Sequence, residues 1–292
     1  MEVRQLRYFV LAAELEHFGA AAERLHIVQP AVSKQIAAME RELGLTLFDR
    51  THRRATLTAD GRAFLPHARR ALRAIERAAT AAADLAHGDA GILRIASSEG
   101  LGARLHAILA SYRASHPKIT VELSSAPTPT KLRLVTAGDL DAAFVRAAPA
   151  TAGVTVHHLW DEPLLLTVPT ERANTAGNLR TLADLPLARA DRDDNPGVFD
   201  LITHACRTAG VDPRPGPRLA SVQDILAGPI AAGECWTLLY ASTAPHDSTS
   251  ITVLAPVPTI TVPTGLAVRS NNSRSARTSE FIAAARQHAD QP

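Results

Sequence analysis

Residues 59–87 run without a turn signal and are rich in alanine and arginine. Inside this stretch Leu65, Ala68, Leu72, Ile75, Ala79, Ala82 and Ala86 are spaced 3, 4, 3, 4, 3, 4. That spacing is a heptad seam on one long helix. A lone narrow seam cannot be buried by the helix that carries it, so it calls for a second helix. The partner is either another copy of the chain or the helix's own domain; the first reading gives a homodimer through Leu65, Ala68, Leu72, Ile75, Ala79 and Ala82. Thr58 is a good N-cap for the helix, and His87 to Gly91 reads as a hinge. The stretch divides the chain into a head at 1–58, a linker helix with hinge at 59–90, and a body at 91–292.

The head is dense in helical periodicity. Leu6, Phe9, Val10 and Ala13 make one apolar face of a first helix. Phe18-Gly19 breaks it, with Gly19 as a tolerable cap for a short helix from Ala20 to Leu25. His26-Ile27-Val28 forms a tight turn. Pro30 suits the first position of a third helix, because its missing N–H has no partner there in any case. Val32, Ile36, Met39 and Leu43 form that helix's buried stripe, and Gly44 fits its left-handed end. Two short helices around a tight turn make a helix-turn-helix. The outer face of the second presents Gln29, Ala31, Ser33, Lys34 and Gln35. Amides suit adenine edges, a cation suits guanine or phosphate, and small residues allow close approach to the groove. The competing reading is a small helical hairpin with a solvated face. Two short strands, Leu47 to Arg50 and Thr56 to Thr58, flank Thr51-His52-Arg53-Arg54-Ala55. This is a β-wing whose arginines are placed to grip phosphate or a minor groove.

The segment from Arg4 to Leu65 resembles the LysR-type transcriptional regulators nearly position by position, most specifically in QPAVSKQI (Gln29 to Ile36) and LGLTLFDR (Leu43 to Arg50). The resemblance implies that Gln29, Pro30, Ser33 and Lys34 approach DNA, with Arg50, Arg53 and Arg54 on the wing. It implies paired linker helices that set two winged motifs on one operator of partial dyad symmetry, and a dimer of dimers. Gly19 and Val28 depart from the family, which usually has Ser or Thr at both positions. Val28 offers no hydroxyl to cap the third helix.

From Gly91 onward short apolar runs alternate with helical stretches, the texture of an α/β domain. The strand Ile92 to Ala96 ends in Ser97-Ser98-Glu99-Gly100 ahead of a helix. Pro127-Thr128-Pro129-Thr130 opens another, and Arg146 ends the apolar strand after Gly138-Asp139-Leu140-Asp141. Ligands of open α/β sheets sit beyond the carboxyl ends of strands. Ser97, Ser98, Thr128 and Arg146 are therefore expected to converge on one cleft. Neutral donors with one fixed cation favour a small anion, most simply a carboxylate. AGDLDAAFVR (137–146) and GLAVRS…FIAAARQ near the end resemble the LysR effector domain, which is similar to type II periplasmic binding proteins. This resemblance implies two lobes, 91–161 with 266–292 and 162–265. Val222 to Ala232 reads as a helix that Gly228-Pro229 breaks, and Trp236 after Glu234-Cys235 is expected to stand bulky beside the cleft.

The formal charge is only +2, so DNA binding must come from local placement rather than overall charge. Two cysteines, Cys206 and Cys235, exclude a disulfide-stapled scaffold and read as buried apolar residues more than as a redox pair. His157-His158 would point to opposite faces of a strand, a poor metal pair. No cofactor is expected. The apolar runs fall short of the ~18 residues of a membrane span, and the N-terminus has no apolar leader pattern, so the expected compartment is the cytoplasm. Two function classes follow. One is a DNA-binding regulator controlled by a small-molecule effector. The other is an α/β binding or catalytic protein with an incidental helical head; no GxSxG stands in the chain to support the catalytic version.

Overall fold

A computed structural model of the chain describes residues 1–49, 55–87, 91–175, 177–245, 249–270 and 276–289. Two compact units, Met1–Gly88 and Asp89–Pro292, make up the chain.

The first unit holds α1 (Val3–Leu15), α2 (Phe18–Arg24), α3 (Gln29–Leu43), strands β1 (Phe48–Asp49) and β2 (Thr56–Leu57), and α4 (Ala59–His87). Its core is Phe9, Val32, Ile36, Met39, Leu47 and Phe48, all fully buried. Phe9 meets Phe48 edge-on at 5.6 Å and Phe64 of α4 at 5.5 Å. Such pairs add roughly 0.5–1.5 kcal/mol each beyond the area they bury. Helix α3 ends where Gly44 takes φ +68°, and Leu45 N–H closes back on Glu40 O. Thr58 Oγ1 accepts from Gly61 N–H at 2.9 Å and so caps α4, which runs on through Pro66. One local expectation fails. Phe18 and Gly19 lie inside α2, and the cap is His17, whose Nδ1 accepts from Ala20 N–H at 3.1 Å. The ring nitrogen does what a Ser or Asn oxygen usually does.

The second unit holds β3 (Gly91–Ser97), α5 (Gly102–Ser115), β4 (Ile119–Ser125), α6 (Thr128–Ala137), β5 (Ala142–Arg146), β6 (Val154–Pro169), β7 (Leu187–Arg189), α7 (Pro196–Thr208), β8 (Pro215–Arg218), α8 (Val222–Ile225), β9 (Trp236–Tyr240), β10 (Ile251–Leu254), β11 (Ile260–Arg269) and α9 (Ala276–Gln287). The strands form one sheet in the order β4-β3-β5-β11-β6-β9-β7-β8, with β10 also on β6. Strands β4, β3 and β5 are parallel, as are β8, β7 and β9, while β6 and β11 run antiparallel between the two groups. Two separate apolar cores result. One gathers Leu93, Ile95, Ile108, Tyr112, Phe144 and Phe281; the other gathers Leu166, Val168, Leu182, Ile202, Trp236 and Val262. Among the described residues only β6 and β11 contribute side chains to both, so they are the spine that joins two lobes. The β6–β11 ladder shifts register between Thr264 and Gly265.

The stretch after Val222 is not the helix its periodicity predicts. It makes one short α-turn and then a π-turn, Leu226–Ile230, containing Pro229. Proline cannot donate to the i−4 carbonyl, and the wider turn accommodates the loss.

Candidate DNA-reading face and effector cleft

Helix α3 is anchored by its buried stripe, which leaves Gln29, Pro30 and Lys34 exposed and Ala31, Ser33 and Gln35 half-buried. Gln35 is not a free amide: its Oε1 accepts from Nε2 of the buried Gln5 at 3.3 Å, tying α3 to α1. The N-cap is Val28, with no side-chain cap bond and 70% exposure. Strands β1 and β2 pair in register, Phe48 with Leu57 and Asp49 with Thr56. Arg50, Arg53 and Arg54 lie outside the described residues. A residue not foreseen from the sequence positions the wing: Glu40 Oε1 accepts from Leu47 N–H at 2.7 Å and Phe48 N–H at 3.1 Å. Its signal in the sequence is a carboxylate in the last turn of α3.

Along α4 the seam residues divide. Ala68 is 1% exposed in this unit's own core, and Leu65 and Leu72 pack half-buried against that core. Ala68 is thus not available to another chain. Ile75, Ala79 and Ala82 are exposed.

In the second unit a cleft of about 480 Å³ opens between the lobes. Ser98, Thr128 and Arg146 line it; Ser97 does not, since its Oγ donates to Ser124 O on the neighbouring strand. Arg146 is 2% exposed. Its guanidinium donates to the carbonyls of Glu99 and Gly100 and lies 3.7 Å from the ring centroid of Tyr240. Gly100 sits at φ +68°, and a Cβ there would meet Thr243 and Ser242 at 2.8–3.0 Å, so the loop carries glycine for close approach. Thr128 opens α6 and is buried, its N–H spent on Asp194 O of the facing lobe at 2.8 Å. Asn195 caps α7 through its Oδ1 and donates Nδ2 to Arg146 O.

The most telling residue was not expected. Lys131 is 3% exposed, one turn into α6. Its Nζ donates to Ser97 O at 3.0 Å, Ser98 Oγ at 2.6 Å and Phe144 O at 2.9 Å. Burial, and then the nearby Arg146 charge, lower its pKa from 10.5 to about 8. Burial also lowers that of Arg146. The sequence clue was spacing: Lys131 follows Thr128 by three, and it is one of only three lysines in the chain.

Trp236 is not beside the cleft. It starts β9, is fully buried in the second core, and donates Nε1 to Leu185 O at 3.1 Å. Cys206 and Cys235 are both fully buried, and desolvation raises each thiol to about 11. Few thiolates exist there at neutral pH.

Known proteins fit both halves. Residues 3–62 match the family model described as a bacterial regulatory helix-turn-helix protein of the lysR family, and residues 86–290 match the LysR substrate binding domain. The chain belongs to the LysR family of transcriptional regulators. Among curated relatives, the regulator TfdS of Cupriavidus pinatubonensis is 37% identical over 254 residues, 84% of each chain. ClcR of Pseudomonas putida is 35% identical over 231 residues, 78% of each chain. The crystal structure of full-length CbnR complexed with its target DNA is similar at TM-score 0.77 and 30% identity, covering 98% of this chain and all of that one. This LysR regulator therefore pairs a helix-turn-helix domain with an effector-binding domain. It is not an enzyme, and the helical head is not incidental. Among the described residues no helix is long and apolar enough to cross a membrane.

Proposed function

We propose that this regulator works in the cytoplasm with a winged DNA-binding domain at 1–58, a linker helix at 59–90 and an effector domain at 91–292. Gln29, Ala31, Ser33 and Lys34 read base edges from α3, with Pro30 setting the helix start, and Arg50, Arg53 and Arg54 hold the backbone from the wing. A homodimer through Ile75, Ala79 and Ala82 sets two such motifs on an operator of partial dyad symmetry. The effector is a small anion held between the lobes by Ser98, Thr128, Lys131 and Arg146. One observation carries this reading: two buried cations share the cleft, and their hydrogen-bond acceptors are carbonyls and a hydroxyl rather than carboxylates. The Glu99 and Glu162 carboxylates act on Arg146 through their charge but hydrogen-bond to neither cation, and an anion in the cleft supplies that direct partner. The bound anion regulates by favouring one arrangement of the lobes over another, since equal affinity for both would shift nothing. The test is calorimetry with a panel of carboxylates on the full chain. Lys131→Met should lose binding while operator retardation persists. Unchanged carboxylate affinity in that variant would reject the site.

A further inference from the structure

The inter-lobe cleft has a largely apolar annex. A second cavity of about 100 Å³ opens within the second lobe and shares Glu99, Ala190, Asn195, Leu219 and Tyr240 with the cleft. Beyond those shared residues its wall is mostly apolar, from Leu164 on β6, Val198, Phe199 and Ile202 on α7, Val222 on α8 and Leu238 on β9; Asp191, Thr243 and Arg189, whose guanidinium lies over the Phe199 ring and donates to Thr203, also line it. Natural cores hold few voids larger than a water molecule. A mostly apolar void that meets the polar cleft at Tyr240 and Asn195 is where a ligand's apolar part would go, and among the described residues no side chain fills it.

We infer that the effector is an amphipathic acid: an anionic head beside Lys131 and Arg146, and a short aliphatic tail in the annex. The inference rests on the anion reading of the cleft and adds the second half of the ligand. Volume sets the tail's size. A cavity of roughly 150 Å³ lined by aliphatic residues and Phe takes benzene, and one water-sized group takes about 30 Å³. The annex therefore accepts about three or four carbons, and a phenyl ring overfills it. Each methylene moved from water into such a wall is worth about fourfold in affinity. Four carbons thus add roughly two decades over a head with no tail.

The experiment is calorimetry on the full chain with the straight-chain acids from acetate to octanoate, with benzoate and with butylamine. Affinity should climb about fourfold per methylene to pentanoate and fall for octanoate and benzoate. Val222 lines the annex, is half-buried and lies outside the second core, so changing it spares that core. Val222→Phe should bring pentanoate down to the level of acetate and leave acetate unchanged; Val222→Ala should move the optimum one or two carbons longer. Binding that depends on Lys131 but is flat in chain length, or unmoved by both Val222 variants, overturns the annex and leaves the anion reading standing. A chain-length optimum shared by butylamine keeps the annex and overturns the anionic head. No binding of any acid overturns both.

Discussion

Replacing Lys131 by methionine should change the shape, not only the level, of the stability–pH profile. Methionine keeps the unbranched length and removes the charge. In the parent, the amine's pKa is about 8 when folded and the ordinary 10.5 when unfolded. Below pH 8 both states are protonated, and the native state carries the full cost of a buried charge. Between about pH 8 and 10.5 the native state has released a proton that the unfolded state keeps. Stability therefore rises with pH across that window. The gap between about 8 and 10.5 corresponds, at 1.36 kcal/mol per pH unit, to about 3 kcal/mol. Other groups oppose the rise: the Cys206 and Cys235 thiols, held protonated to about 11, cost stability above pH 9, and the Tyr240 hydroxyl, pushed up by burial, adds to this at the top of the range. They titrate alike in parent and variant, so the difference between the two isolates Lys131. Both tryptophans, Trp160 and Trp236, lie in the effector unit. Urea unfolding followed by tryptophan fluorescence at pH 7, 8, 9 and 10 thus reads the relevant unit. The variant's advantage should be largest at pH 7 and shrink by about 3 kcal/mol towards pH 10. Parallel profiles would refute the argument that Lys131 is charged at neutral pH at the expense of the fold.

Three further outcomes are expected. Ile75→Asp should dissociate the dimer in sedimentation, because an unpaired carboxylate in an apolar contact costs several kcal/mol; Leu72→Asp should instead loosen the DNA-binding unit itself, seen as a loss of helical circular dichroism. Arg54→Ala should weaken DNA binding across sequences and lower the salt slope by about one, whereas Ser33→Ala should alter discrimination between operators; equal behaviour of the two in retardation assays would move the reading face elsewhere. Cys206 and Cys235 should resist a thiol reagent at pH 8 and react only at urea concentrations that unfold the effector unit; rapid native labelling would contradict their burial.

What could be read from the sequence is what depends on local chemistry. Pro30, Gly44 and Thr58 mark helix ends through their own backbone rules, and the structure puts ends at those places. The DNA-reading face follows from the stripe opposite it. Ser98, Thr128 and Arg146 could be assembled from strand-end logic because parallel strands carry their loops to one edge. The errors need information from outside the local segment. Heptad spacing marks Ala68 as apolar and inward, but cannot say whose core it enters. Trp236 reads as a bulky residue beside the cleft, but its face is decided by where β9 lies beside β6 and β7. Lys131 reads as an ordinary surface lysine until three acceptors from two separate segments are brought round it by β3 and β5. His17 as a cap is a case of ring chemistry overriding a backbone preference for Gly19.

The two long strands that join the lobes have a mechanical consequence. A pair of hydrogen-bonded antiparallel strands resists stretching and sliding, since either breaks the whole ladder at once. It yields to torsion, and most readily where the ladder is already irregular. In this chain the irregularity falls between Thr264 and Gly265, and Thr264 is the register partner of Arg146 on β5. The softest point of the joint and the cleft's guanidinium thus occupy one cross-strand position. A ligand that draws on Arg146, as proposed above, would act on the torsional axle of the domain without a relay of side chains in between. The response such a joint delivers is a twist of one lobe against the other about the strand direction.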